Sequence, residues 1–286
     1  MNTFVRQLEK VTMSLIDIGA NLTHRTFDYN LNEIIERAGN AQVNDIIITG
    51  TSLNHSRKAI DLVSKWNGYD KRVRLYSTIG IHPHEATRTK SFDYRQQLIH
   101  LLENNRTNQT AVALGECGLD FDRNYSLHDD QREIFEVQLQ LACQYNLPLF
   151  LHERSASKDM LDILRKYSSN GNFRGVIHCF THGSLDILRE YLALNLYVGI
   201  TGWVCDHRRG QDLAKIVSNI PLDRLVIETD APFLIPATHP RPWPKFNEPS
   251  LLPLVVKKLS ECYSISPDEI ARHTTENAKR LFNLLN

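Results

Sequence analysis

Val112–Asp122 reads VALGECGLDFD. It opens as an apolar run suited to a buried strand, then places a carboxylate, Glu116, between a glycine and a cysteine. A buried carboxylate without a partner is neutralised or strongly destabilising, so Glu116 requires a hydrogen-bonded partner, a cation or water. Working outward from this run, short β-branched stretches recur at Leu15–Leu22, Asp45–Thr51, Val73–Ile81, Leu147–His152, Gly175–Phe180, Tyr197–Thr201 and Leu225–Asp230. With Ala111–Leu119 they make eight predicted strands. The segments between them, such as Leu31–Ala41, Asn54–Trp66 and Asp130–Tyr145, carry apolar residues at three-to-four spacing, as amphipathic helices do. Alternating strand and helix implies parallel pairing. Eight such units in 286 residues predict an α/β fold, a closed (β/α)₈ TIM barrel of the metal-dependent hydrolase type. An open doubly wound sheet fits less well, because no glycine-rich dinucleotide fingerprint follows the first strand.

Residues 15–286 read as one barrel domain, preceded by a short N-terminal extension, residues 1–14. Pro236–Pro249 is a loop rather than a linker, and helical patterns follow at Leu251–Glu261 and Pro267–Leu285. Lys plus Arg (33) balances Asp plus Glu (33), so no global field draws the protein onto nucleic acid or anionic membrane, and a polyanionic substrate has to be held locally. Five cysteines without a CxxC pair suggest neither a disulfide framework nor a zinc finger. No run approaches the roughly 18 apolar residues of a membrane span, and the first twelve residues have no apolar signal core. An intracellular protein, in nucleus or cytoplasm, is the expectation.

In this fold the chemistry sits where strands end, because the loops after them build one face. Five of the eight predicted strands end in His, Asp or Glu: GIHPHE (His82, His84), GECGLD (Glu116, Asp120), LFLHER (His152, Arg154), VIHCFTH (His178, His182) and VIETDAPF (Glu228, Asp230). Singly, each has a structural explanation as a packed histidine, a cap or an ion pair. Together they predict one metal site. Glu116, His152, His178 and Asp230 can hold one or two divalent cations, which make hydroxide available near neutral pH. Glu116 then has its partner and can bridge two ions, while Asp230 can take a proton from the attacking water.

These blocks, with ITGW and the later NEP at Asn247–Pro249, resemble the TatD family of metal-dependent deoxyribonucleases within the amidohydrolase superfamily. The resemblance covers Leu15 to the C-terminus. It implies a Mg²⁺- or Mn²⁺-dependent phosphodiesterase that removes nucleotides from DNA at 3′ ends of single strands, with RNA as a second substrate. It also implies roles in DNA degradation during cell death and in repair, alongside partner nucleases and away from membranes. His82 and His84 carry over as residues near the scissile phosphate, for substrate contact or proton transfer rather than ligation. Arg154 matches a phosphate bidentately; Arg208 and Arg209 are a weaker candidate pair. Phe121, Trp203, Phe233 and Trp243 fall in post-strand loops where bases stack, although core or lid packing is the commoner use. Cys117 and Cys179 read as small buried hydrophobes turned away from the neighbouring ligands by strand alternation.

One block departs from the family. Many relatives have His-x-His at the end of the first strand, where DIGANL places Gly19 and Asn21. Asn21 offers an amide oxygen, a hard donor suited to Mg²⁺ or to substrate. The expectation is a weaker, more hydrated first metal position. Two rivals remain: an amidohydrolase acting on a small amide, lactone or nucleobase, whose bridging lysine is missing from these strand ends, and a barrel with a decayed site that binds a partner.

Overall fold

The computed structural model describes residues 13–67, 72–91, 93–168 and 173–284. Only Met13 and Ser14 of the expected N-terminal extension fall among them. Eight strands form one sheet in sequence order: β1 (Leu15–Ala20), β2 (Val43–Ile48), β3 (Arg74–Ile79), β4 (Ala111–Asp120), β5 (Leu149–Arg154), β6 (Gly175–Ile177), β7 (Tyr197–Ile200) and β8 (Leu225–Ile227). Every neighbouring pair is parallel. The seam between β8 and β1 closes just past β8, with a bridge from Ala20 to Ala231. There the Asp230 N–H donates to Gly19 O at 2.8 Å and the Asn21 N–H to Ala231 O at 2.7 Å. Asp17 ties the same seam: its Oδ1 accepts the Thr229 N–H at 2.9 Å and its Oδ2 the Thr229 hydroxyl at 2.5 Å. The predicted barrel is therefore the observed one.

The apolar residues divide as a barrel requires. Ile16 and Ile18 of β1 share one cluster with a residue from every other strand, among them Ile47, Phe150, Val176 and Val226, and side chains from all eight strands can meet only inside. Leu281 and Phe282 of the helix Pro267–Phe282 join them, and that helix closes the N-terminal end, where Thr275 donates to Ser14 O just before β1 and Asn277 to Leu225 O at the start of β8. The larger cluster lies between the sheet and the surrounding helices. The opposite, C-terminal end is left to polar groups.

Strand lengths differ from expectation at that polar end. The runs read as strands through Phe180 and Asp230 stop at Ile177 and Ile227, because the chain turns through left-handed backbone at Cys179 (φ 46°) and Asp230 (φ 52°). His178 and Asp230 thus stand on the loops that leave the barrel. In contrast, β4 extends one residue further than expected, to Asp120. No helix among the described residues is long and apolar enough to cross a membrane.

Candidate metal centre

Along β4, residues 116, 118 and 120 face the same way, since strand side chains alternate. Glu116 and Asp120 therefore project together, and Gly118 between them allows close approach of β5. A Cβ at Gly118, which has φ +138°, would lie 2.0 Å from the His152 carbonyl oxygen. On β5 the same alternation brings His152 into this layer. His82 arrives from the turn after β3, and His178 from the residue after β6.

Three imidazoles converge on one oxygen. Glu116 Oε1 lies 2.8 Å from His152 Nδ1, 2.8 Å from His178 Nε2 and 3.2 Å from His82 Nε2. Donors at adjacent corners of an octahedron around an ion at about 2.1 Å stand roughly 3 Å apart, so these separations suit a common centre. Among the described residues His152 Nε2 is buried without a hydrogen-bond partner, and it stands 3.6 Å from Asp120 Oδ2. An orphaned nitrogen beside a carboxylate layer is what a cation would satisfy. The donor set fits a divalent ion.

The second nitrogen of each ring decides what the first can do. His82 Nδ1 accepts the His84 backbone N–H at 3.1 Å, so a neutral ring carries its proton on Nε2, the nitrogen facing Glu116. Proximity groups His82 with Glu116 and His152 as potential ligands. The hydrogen bond leaves its Nε2–H as a donor toward the centre. His178 is the reverse case, with Nδ1 3.3 Å from Glu228 Oε2 and Nε2 left for the centre.

Electrostatics follow from this packing. Burial opposes charge on Glu116, but the imidazoles of His82, His178 and His152 outweigh it and hold the carboxyl well below its ordinary range. Burial also opposes charge on His178, yet Glu116 and Glu228 raise it well above the usual value. His82 is lowered to about 4, mainly by burial, and is neutral at pH 7. Asp230 is raised to about 7 by burial, with Glu116 and Glu228 adding to the effect and His178 opposing it. Asn21 Nδ2 donates to Asp230 Oδ1 at 3.0 Å, so the amide expected to offer its oxygen uses its nitrogen to orient this carboxylate.

A cleft of about 670 Å³ opens over the centre, with Asn21, His84, Arg154 and Asp230 on its walls. The family model for TatD related DNase matches residues 16–283. The chain belongs to this TatD family. The 3′-5′ ssDNA/RNA exonuclease TatD of Yersinia pseudotuberculosis is 40% identical over 272 residues, covering 95% of this chain and all of the relative. Among solved structures, a TatD family hydrolase from Entamoeba histolytica superposes with a TM-score of 0.84 at 27% identity, covering 94% of this chain and 98% of the other. The TatD homolog YJJV from Escherichia coli k12 gives 0.83 at 27%, covering 95% and 98%.

Within this TatD chain the remaining candidates are sorted by position. His84 Nε2 pairs with Asp120 Oδ2 at 2.6 Å and faces the cleft. Arg154 lines the cleft but its Nε is tied to Asp122 at 2.8 Å, a half-exposed ion pair. Arg208 meets Asp206 through its backbone N–H, while the Arg209 guanidinium pairs with Asp206 and lies over the Trp203 ring. Of the aromatics, Phe121 stacks on His128, Trp203 and the exposed Phe233 line the cleft, and Trp243 lies under Arg241. Cys117 is buried as expected, but Cys179 lines the cleft, since β6 has already ended and alternation no longer applies. Asp120 and Glu228, both at strand ends in the sequence, each stand beside a histidine: Asp120 Oδ2 is 2.6 Å from His84 Nε2, and Glu228 Oε2 is 3.3 Å from His178 Nδ1. Spacing offered a signal for Asp120, which shares a face of β4 with Glu116, but none for Glu228, which lies past the end of β8.

Proposed function

We propose that this chain is a divalent-metal-dependent exonuclease that digests single-stranded DNA and RNA from the 3′ end. The observation that carries the reading is the convergence of His152, His178 and His82 on one oxygen of Glu116 at the floor of an open cleft. Glu116, His152, His178 and Asp230 would hold one or two divalent ions, with the imidazoles favouring Mn²⁺ over Mg²⁺, which prefers oxygen donors. When bound, such an ion makes water a nucleophile near neutral pH and offsets phosphate charge.

The chain's own groups handle the protons and the substrate. Asp230, oriented by Asn21 and raised to about 7 by burial, accepts the proton of the attacking water. His82 presents an Nε2–H toward the reacting phosphate, as the His84 backbone dictates. His84, fixed by Asp120, and Arg154 at the rim contact phosphate oxygens of the strand. A chain with no net charge grips a strand end through these few groups rather than tracking a duplex.

The test is digestion of a single strand labelled at its 5′ end, with and without a chelator. Shortening products that vanish on chelation and return with Mn²⁺ support the reading. Undiminished digestion in chelator, or hydrolysis of amides and lactones alone, overturns it.

A further inference from the structure

Glu228 has no part in the reaction proposed above, yet its carboxylate is fully buried directly beneath the centre. Its Oε1 accepts the Cys179 backbone N–H at 2.5 Å, and its Oε2 stands 3.3 Å from His178 Nδ1. Two glycines on flanking strands make the slot it fills. A Cβ at Gly19 of β1 would lie 2.3 Å from Glu228 Oε2, and one at Gly199 of β7 would lie 2.7 Å from Oε1. A carboxylate placed this way is not free to turn, because the slot's two sides and the Cys179 N–H fix both oxygens.

We propose that Glu228 is the positioning residue for His178, holding the imidazole proton on Nδ1 so that Nε2 is presented to a divalent ion beside Glu116, and that Gly19 and Gly199 are the clearance it requires. The inference rests on the metal-centre reading, in which His178 is a ligand. It changes the meaning of Gly19. Where the first strand departs from the histidine-bearing pattern, the glycine is the space occupied by a carboxylate from β8's end, rather than a ligand lost without replacement. A side chain at position 19 and this placement of Glu228 exclude one another.

The test is Mn²⁺ binding by calorimetry, with folding of each variant followed by circular dichroism. In Glu228→Gln the amide oxygen takes the Cys179 N–H and the NH₂ faces His178 Nδ1, which drives the ring proton onto Nε2. Mn²⁺ affinity then falls about 10- to 100-fold, the usual cost of losing a group that orients a ligand. Gly19→Ala lowers affinity similarly, but adds less than about twofold in a Glu228→Ala background, where the slot is empty. Nitrogen-15 spectra of the Mg²⁺-loaded wild type show His178 protonated on Nδ1. The isosteric glutamine keeps the packing, so its result stands even where an alanine variant fails to fold. Wild-type affinity in both Glu228→Gln and Gly19→Ala overturns the proposal. Glu116→Gln serves as the reference: loss of Mn²⁺ there with retention in Glu228→Gln sinks the role of Glu228 alone, whereas retention in both sinks the metal centre too.

Discussion

Replacing Asp17 by Asn should remove a pH dependence of stability that the barrel seam builds in. Asp17 is fully buried between β1 and β8, and burial is the largest influence on it, raising its carboxyl from 3.8 to about 7 despite the hydrogen bonds from Thr229 and Gly19. The folded state thus binds a proton that the unfolded chain releases at lower pH. A raised value means that Asp17 contributes fully below about pH 4, and that this contribution is lost as pH rises through about 7. A shift of about three pH units corresponds to on the order of 4 kcal/mol, most of it lost between about pH 4.5 and 8. Asparagine keeps an oxygen for the Thr229 and Gly19 N–H groups and does not ionise. Urea unfolding of both proteins across this range should therefore show the wild type losing about 3 kcal/mol relative to Asp17→Asn as pH rises. The difference between the two cancels the other titrating groups in the chain. A stability difference that is flat from about pH 4.5 to 8 refutes the argument.

Other perturbations probe the site. Asp230→Asn should cut turnover on single-stranded DNA by about 10²- to 10⁴-fold, the range for a lost proton acceptor, while the fold persists; wild-type turnover contradicts its role. Gly118→Ala should destabilise by about 3 kcal/mol or more, because its Cβ meets the His152 carbonyl at 2.0 Å in left-handed backbone, and thermal unfolding at the wild-type temperature counts against it. The salt dependence of oligonucleotide binding should be shallow, reflecting a few neutralised phosphates; a slope of about six or more means a longer contact track than the cleft implies.

Much of this was legible because parallel strands buried on both faces read as continuous apolar runs, and the eight runs appear where expected. Glu116 declared itself as a charge in such a run. The orienting groups were less legible. Asp120 stood out with Glu116 at the end of GECGLD, and its even spacing placed both on one face, but its pairing with His84, 36 residues away, has no local signal. Glu228 meets His178 across 50 residues of sequence, and no local pattern encodes that pairing. The direction of His82 depends on a turn, in which its own Nδ1 caps the His84 N–H and so assigns its proton. Arg154 could not be placed from type alone, because its partner Asp122 lies 32 residues away on a loop after β4.

Anomalous diffraction from crystals soaked in Mn²⁺ would locate the ion without recourse to activity. The arrangement around Glu116 requires a peak within coordination distance of its carboxylate, about 2.0–2.3 Å, shared with His152 or with His178 Nε2. A fully loaded crystal whose manganese peaks all lie away from Glu116 would contradict the arrangement and the hydrolysis derived from it.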